Sequence, residues 1–279
     1  MKNKLKILIT STSFIDTPGN HHKLIESYDF KLIKKRGPLT EDKMIDYIED
    51  IDGVICGDDY ITANVIKKGK SSKLKVISKY GVGLDKIDLN EAEKQEIIVC
   101  NTPGVNHIAV SEHILSLIFC YYKNIHLEYN ITKKGSWDRL IGHEIYSKKI
   151  GILGLGRIGK ELSVRSKALG LDVLVFDPFL DKDFVIKNNL NSVEKIENLV
   201  HNIDILALTL PLNEKTKGII NSSLISKANK KLVIVNTSRA LIINQKCLID
   251  MLNKDKIEVY LTDVVEVEPI RKEDPLLQF

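Results

Sequence analysis

Ile150-Gly-Ile-Leu-Gly-Leu-Gly-Arg-Ile-Gly159, answered further along by Asp177, decides how this chain folds. Gly154, Gly156 and Gly159 have the spacing G-x-G-x-x-G, directly after the apolar run Ile150, Ile152, Leu153 and directly before a helical pattern. A strand, turn and helix joined this way make a phosphate cradle. The first glycine permits a tight turn, and the second lets backbone N–H groups approach a pyrophosphate. The third lets the helix pack closely on its strand, with its N-terminus facing the anion. Asp177 ends the next apolar run, Val173–Phe176, where a carboxylate accepts hydrogen bonds from an adenosine ribose. The alternative is a glycine-rich turn in some other α/β protein, and it must explain strand, glycines, helix, second strand and terminal acid all at once. Pro178 and Phe179 follow Asp177, with no adjacent arginine to pair with a 2′-phosphate, so the expected dinucleotide is NAD rather than NADP.

Outward from this unit, short apolar runs alternate with helical patterns in both directions. Before it come Leu5–Ile9, a helix near His22–Tyr28, Phe30–Ile33, a helix opened by Thr40, Gly53–Cys56, a helix from Thr62, Lys75–Ser78, a helix near Leu89–Lys94, and Ile97–Val99. A long amphipathic helix, roughly Ala109–Asn124, leads into the glycine motif, and strands are expected afterwards at Val173–Phe176, Ile205–Leu210, Leu232–Asn236 and Val259–Val264. Such alternation is the signature of parallel sheets wound with helices. The fold class expected is α/β, with two doubly wound parallel-sheet domains. One, flavodoxin-like, covers residues 1–100, and the other, a Rossmann NAD-binding domain, covers residues 101–279. Ligands of such sheets bind at the carboxyl ends of strands, and two such domains in tandem leave a cleft between them.

Bulk properties narrow the function. The chain has 279 residues, 43% hydrophobic and 28% charged, which is ordinary for a globular protein of two domains. A net charge of +4 with scattered basic residues gives no footprint for nucleic acid. The longest apolar stretch, Ile114–Tyr122, falls far short of the ~20 residues that span a bilayer. Lys2, Lys4 and Lys6 precede only the run Ile7–Ile9, a first strand rather than a signal peptide. Cys56, Cys100, Cys120 and Cys247 show no metal spacing, and their apolar company suggests buried thiols in a reducing compartment. A cytoplasmic protein without metal, membrane or nucleic-acid partners is expected.

Three strand ends hold polar groups at the expected crevice. Thr209-Leu-Pro211 follows Ile205–Ala207, where Pro211 stops the strand and shapes the cofactor crevice. Asn236-Thr-Ser-Arg-Ala240 follows the buried run Leu232–Val235 and delivers a guanidinium suited to a carboxylate or a polarised carbonyl. Asp263 and Glu268 lie in Asp263-Val-Val-Glu-Val-Glu-Pro269. On physical grounds alone, Arg239 is as readily a surface ion pair and Glu268 a solvated loop acid.

Together the glycine motif, the Asn-Thr-Ser-Arg segment and the Asp-Val-x-Glu-x-Glu-Pro segment resemble the D-isomer-specific 2-hydroxyacid dehydrogenase family. Lys79-Tyr-Gly-Val-Gly-Leu-Asp85, Asn101-Thr-Pro-Gly-Val-Asn106, Val110-Ser-Glu-His113 and Gly135-Ser-Trp137 fit as well, and the similarity runs from about Lys4 to Phe279. The resemblance implies NAD as cofactor, a small 2-oxo or 2-hydroxy acid as substrate, a first domain that binds substrate, and a homodimer paired through the NAD domain. It implies that Arg239 orients the 2-oxo acid and polarises its carbonyl, and that Glu268 raises and orients a catalytic histidine. By the same resemblance Val82 and Gly83 contact the substrate carboxylate, and Arg157 and Ile158 cover the pyrophosphate. Thr237 and Ser238 would flank the nicotinamide ribose, and Asp263 the nicotinamide carboxamide. Arg36-Gly-Pro-Leu-Thr40 and the Lys79–Asp85 loop look most like the phosphoglycerate dehydrogenase branch. Gly57-Asp-Asp59, acidic where that branch often has a basic phosphate binder, would repel a phosphate, so an unphosphorylated 2-oxo acid stands beside it.

One departure matters. The family's catalytic histidine lies in a Thr-Pro-His segment shortly after the position of Pro275-Leu-Leu277, and none of the seven histidines here (His21, His22, His107, His113, His126, His143, His201) lies in such a segment. The expectation is a truncated dehydrogenase, with Leu276, Leu277 and Phe279 exposed or poorly packed for want of a closing helix. The alternative is a non-catalytic NAD-sensing protein. His113, within a helix, is expected to be structural, and His143 matches no family site.

Overall fold

The computed structural model describes residues 4–279, so Lys2 of the basic N-terminal trio lies outside the described residues. The chain divides into two compact units, one ending at Val105 and the other spanning Asn106–Phe279. The division falls slightly after the boundary expected from sequence, just ahead of the helix His107–Tyr122, which belongs to the second unit.

The first unit contains strands β1 (Lys6–Ile9), β2 (Lys31–Lys34), β3 (Gly53–Cys56), β4 (Val76–Lys79) and β5 (Ile98–Cys100). All pair in parallel, in the order β2-β1-β3-β4-β5. This is the flavodoxin-like order, in which the winding direction reverses between β1 and β3. Helices Glu41–Ile48 and Ala63–Lys70 begin where Thr40 and Thr62 break the extended chain. Their apolar faces (Met44, Ile48, Val65, Ile66) close over Leu8, Val54, Cys56 and Ile77 of the sheet.

The second unit contains β6 (Lys149–Leu153), β7 (Asp172–Phe176), β8 (Asn191–Ser192), β9 (Ile205–Leu208), β10 (Leu232–Asn236) and β11 (Ile257–Thr262). Their order is β11-β10-β9-β6-β7-β8, which is the Rossmann order with the reversal between β6 and β9. Successive side chains of a strand point to opposite faces, and here both faces are dry. Ile150, Ile152, Ile205, Ala207, Val233 and Val235 pack under the helices His107–Tyr122 and Arg157–Ala168. Leu153, Leu206, Leu208, Leu232 and Ile234 pack under Ile196–His201 and Gln245–Asn253 on the other face.

Several expectations need correction. The strand expected over Ile205–Leu210 ends at Leu208, because Thr209 turns its hydroxyl back onto the carbonyls of Leu153 and Gly154. Only Cys56 among the cysteines is buried. Cys100 ends the edge strand β5 and is exposed, while Cys120 and Cys247 are half-buried. Burial pushes the Cys56 thiol up to about 12. Leu276 is not stranded: it packs against the core on the Leu206–Ile234 side, while Leu277 and Phe279 stay exposed. No helix among the described residues is long and apolar enough to cross a membrane, and they contain no cluster of three or more metal-ligating side chains.

Candidate functional site

The glycine motif folds as a cradle between β6 and the helix Arg157–Ala168. Gly154 leaves the strand with φ +103°, a conformation side chains resist, and an added Cβ would stand 2.9 Å from the Thr209 carbonyl oxygen. At Gly159 an added Cβ would lie 2.0 Å from the Gly154 carbonyl oxygen, so only glycine lets this helix sit so close to the turn. Gly156 is the opposite case, because a Cβ there would meet nothing. Its exposed backbone caps the helix without a side-chain hydrogen bond, leaving the first-turn N–H groups turned outward beside Arg157 and Ile158. Uncapped N–H groups at a helix N-terminus suit a pyrophosphate. Asp177 stands just past β7. Its Oδ2 accepts from the Leu155 N–H (2.6 Å) and its Oδ1 from the Phe179 N–H (2.8 Å), which fixes the carboxylate at the rim of the cradle.

Beyond the reversal point, the ends of β9, β10 and β11 are locked together by polar side chains. Buried Asn236 donates from Nδ2 to the Arg239 carbonyl (3.0 Å) and to the Tyr260 hydroxyl oxygen (3.0 Å), and its Oδ1 accepts from the Ser238 N–H (3.0 Å). Ser238 Oγ donates to the Leu208 carbonyl (2.7 Å), and Thr262 Oγ1 to the Asn236 carbonyl (2.8 Å). The Tyr260 phenol is pushed up by burial, which outweighs its hydrogen bonds to Thr262 and Asn236. Thr237 Oγ1 is buried without a protein partner. An orphaned hydroxyl of this kind costs stability unless something else satisfies it. Arg239 leaves this knot half-buried, donating from Nη1 to the Ser238 carbonyl (2.8 Å). Pro211, after β9, is exposed, and its carbonyl accepts from Thr216 Oγ1 (2.6 Å). Asp263 directly follows β11, and its Oδ2 is 3.4 Å from His113 Nε2. Glu268 is exposed further along the same segment.

In the first unit, the loop after β4 presents backbone amides. The Gly81 carbonyl accepts from the Thr102 N–H (3.0 Å) and hydroxyl (3.1 Å), and the Val82 carbonyl from Asn101 Nδ2 (2.8 Å). In a trans peptide the N–H opposes the C=O. The N–H groups of Val82 and Gly83 therefore both point away from Asn101 and Thr102, leaving two successive amides available to an anion. Beneath the loop, Lys79 Nζ donates to the Gly57 carbonyl (2.6 Å) and to Asp58 Oδ1 (2.5 Å). Asp59 does not face outward as the acidic Gly57-Asp-Asp59 run suggested. It is buried, accepting from Thr10 Oγ1 (2.5 Å), the Leu39 N–H (2.7 Å) and the Gly57 N–H (2.9 Å), and so ties the ends of β1 and β3. Of the two carboxylates only Asp58 reaches the surface, and its charge is offset by Lys79.

Sequence reasoning missed Thr209, Tyr260, Thr262 and the pairing of His113 with Asp263. Thr209 lies in a segment singled out for Pro211, but its hydroxyl contact with the glycine turn has no sequence signal. Tyr260 reads as one more strand residue, and His113 as a helix residue.

The features of the second unit define a dinucleotide-binding Rossmann domain whose strand ends present an arginine and two acids. Residues 115–279 match the family model for the D-isomer specific 2-hydroxyacid dehydrogenase, NAD binding domain. The chain is 36% identical over 242 residues to D-3-phosphoglycerate dehydrogenase of Methanocaldococcus jannaschii, covering 86% of this chain and 46% of that protein. It is 30% identical over 263 residues to glyoxylate reductase of Korarchaeum cryptofilum, covering 92% and 78% respectively. The crystal structure of NAD+-bound 3-phosphoglycerate dehydrogenase of Entamoeba histolytica superposes with a TM-score of 0.75 at 29% identity, covering 94% of this chain and 81% of that one. The chain thus belongs to the D-isomer specific 2-hydroxyacid dehydrogenase family, on its phosphoglycerate dehydrogenase-like side, with an NAD-binding second unit. It spans less than half the length of the phosphoglycerate dehydrogenases it matches first.

Proposed function

We propose that this protein transfers hydride between NAD(H) and a small 2-oxo or 2-hydroxy acid. The observation that supports this most is the polar knot at the ends of β10 and β11, which holds Arg239, Thr237 and Asp263 at the same sheet edge as the glycine cradle. NAD, when bound, supplies the hydride acceptor and its reduced form the donor. The chain's own residues bind and orient. Gly154, Gly156, Arg157, Ile158 and Gly159 take the pyrophosphate, and Asp177 takes the adenosine ribose. Thr237 and Ser238 take the nicotinamide ribose, Pro211 borders the crevice, and Asp263 faces the carboxamide. The buried Thr237 hydroxyl, with no protein partner, fits such a cofactor. Val82 and Gly83 N–H groups hold the substrate carboxylate, and the Arg239 guanidinium polarises the carbonyl as negative charge develops on its oxygen. Glu268 is assigned to orienting an imidazole general acid. No Thr-Pro-His segment occurs within residues 1–279, so that imidazole is not identified in this chain.

With Asp59 buried and Asp58 balanced by Lys79, the loop after β3 neither strongly attracts nor strongly repels a phosphate. Both phosphorylated and unphosphorylated 2-oxo acids belong in the test. The decisive assay follows NADH absorbance with 3-phosphohydroxypyruvate, hydroxypyruvate, glyoxylate and pyruvate, on this chain and on a form extended by a Thr-Pro-His segment. Turnover in either form supports the dehydrogenase, and the best substrate names it. NADH binding without turnover in both would favour a non-catalytic NAD-sensing protein instead. We further propose a homodimer formed through the NAD-binding unit.

A further inference from the structure

We propose that His113, through its contact with Asp263, makes the preference between oxidised and reduced cofactor depend on pH. The inference rests on the placement of Asp263 beside the nicotinamide. His113 acts through Asp263, as a positioning residue.

In a Rossmann sheet the dinucleotide lies across the reversal point, with its adenosine half over the strand pair that carries the acid. Asp177 marks β6 and β7 as that half, so the nicotinamide falls over β9, β10 and β11. Asp263 follows β11 at this edge, in a turn pinned by Thr262, whose Oγ1 donates to the Val264 carbonyl (2.9 Å) and accepts from its N–H (3.1 Å). The helix His107–Tyr122 runs antiparallel to β11. Near the helix end, the Tyr121 hydroxyl donates to Glu258 at the start of β11 (3.0 Å), while His113, nearer the helix start, faces Asp263 beyond the end of β11. The His113–Asp263 contact therefore lies at the carboxyl end of β11, on the nicotinamide half of the crevice. Both side chains are about half exposed, so the imidazole is open to solvent protons.

Charge follows. The nicotinamide ring carries a positive charge in NAD+ and none in NADH. A carboxylate beside it favours the oxidised form, and an imidazolium paired with that carboxylate cancels the preference. Imidazoles gain this proton between about pH 5 and 8. As pH falls, NAD+ should lose affinity relative to NADH, and by linkage NAD+ binding should expel a proton that NADH binding does not.

Other charged groups on the packed elements are engaged or sit elsewhere. Glu258 is held by Tyr121 at the opposite end of β11, and Glu161 and Arg165 of the neighbouring helix close on each other. Arg157 begins that neighbouring helix, and Arg239 follows β10 and donates to the Ser238 carbonyl. Glu112 is exposed on His113's own helix, Glu266 and Glu268 are exposed beyond Asp263, and His126, on the following helix Ile125–Lys133, meets Cys120 at the end of His113's helix. Among the described residues, Asp263 is the one acid in ion-pair contact with His113.

The test reads affinity and needs no turnover. NADH is titrated by its fluorescence and NAD+ by competition, from pH 5.5 to 8.5, on the wild type, His113→Gln and Asp263→Asn. In the wild type the ratio Kd(NADH)/Kd(NAD+) should rise roughly three- to tenfold from the acid to the alkaline limit, the scale of one partly screened charge pair. His113→Gln should hold the alkaline ratio at every pH, and Asp263→Asn should weaken NAD+ at alkaline pH, lowering the ratio there to about the wild type's acid value. A flat wild-type profile, or one that survives His113→Gln while Asp263→Asn still weakens NAD+, overturns the role of His113 and leaves Asp263 in place. Unchanged NAD+ affinity in Asp263→Asn overturns the placement of Asp263, and failure to bind either cofactor overturns the dinucleotide site.

Discussion

In the proposed reaction Arg239 is the side chain on which the chemistry depends most, and Asn236 fixes the backbone it starts from. The residue follows β10 through a turn that Asn236 closes on both sides, holding the Ser238 N–H with Oδ1 and the Arg239 carbonyl with Nδ2. The guanidinium therefore starts from a fixed backbone, and it is a planar fork that lysine cannot copy. Arg239→Gln should lower kcat/KM of the turning-over form by about 10²–10³-fold, the cost of removing one preorganised donor to a developing oxyanion. NADH affinity, titrated by fluorescence, should hardly change, because the cradle lies across the sheet. Loss of NADH binding together with activity would mean that Arg239 serves the fold instead. The Asn-Thr-Ser-Arg segment was legible in the sequence, since it follows a fully apolar run. The role of Asn236 was not, because its partner Tyr260 comes from another strand and only the folded register brings them together.

At the level of elements, the loops of the first unit depend on two carboxylates at opposite ends of the sheet. Asp59 satisfies a buried hydroxyl from the end of β1, the buried Leu39 amide and a half-buried amide of its own turn. Asp59→Ala would strand these donors, and the expected loss is roughly 2–4 kcal/mol in urea unfolding, the scale for leaving buried hydrogen-bond donors unsatisfied. A loss below ~1 kcal/mol would show that water takes over these bonds. Asp50, at the other end, bridges Lys6 of β1 and Lys73 before β4. Hydrogen bonds from Lys6 and then Lys73 bring its carboxyl down from 3.8 to about 2. A depressed carboxylate adds stability above its unfolded value and loses it as pH falls through the folded value. The contribution of Asp50 is therefore complete above about pH 4 and gone below about pH 2. Asp50→Asn should flatten the acid limb of the stability curve in that window and leave its slope near neutrality unchanged, as followed by circular dichroism. The strand–helix alternation was legible because parallel strands are dry on both faces and read as apolar runs. β8 was not, being two polar residues at a sheet edge, nor was the short helix Thr12–Asp16, in which Phe14 alone is buried.

On the scale of the whole molecule, the segment between the helix His107–Tyr122 and β6 exposes several large apolar side chains. Tyr129 is 61% exposed, Trp137 81%, Ile141 85% and Tyr146 70%, all within one stretch of chain. Single exposed apolar residues are ordinary, whereas a contiguous exposed apolar patch is where a partner would dock. A second copy of the chain, as the homodimer proposal requires, would cover it. Trp137 is the chain's one tryptophan, so its emission reports this surface directly. In a dimer paired through this surface the indole would be dry and would emit to the blue. Dilution should shift the emission to the red at the same concentration where sedimentation velocity loses the two-chain species. Ile141→Ser combined with Tyr146→Ser should give a single-chain species with red emission at all concentrations, still able to bind NADH, because the cradle from Gly154 to Gly159 lies outside the segment. A single-chain species in the wild type, with emission independent of concentration, would remove pairing through this surface.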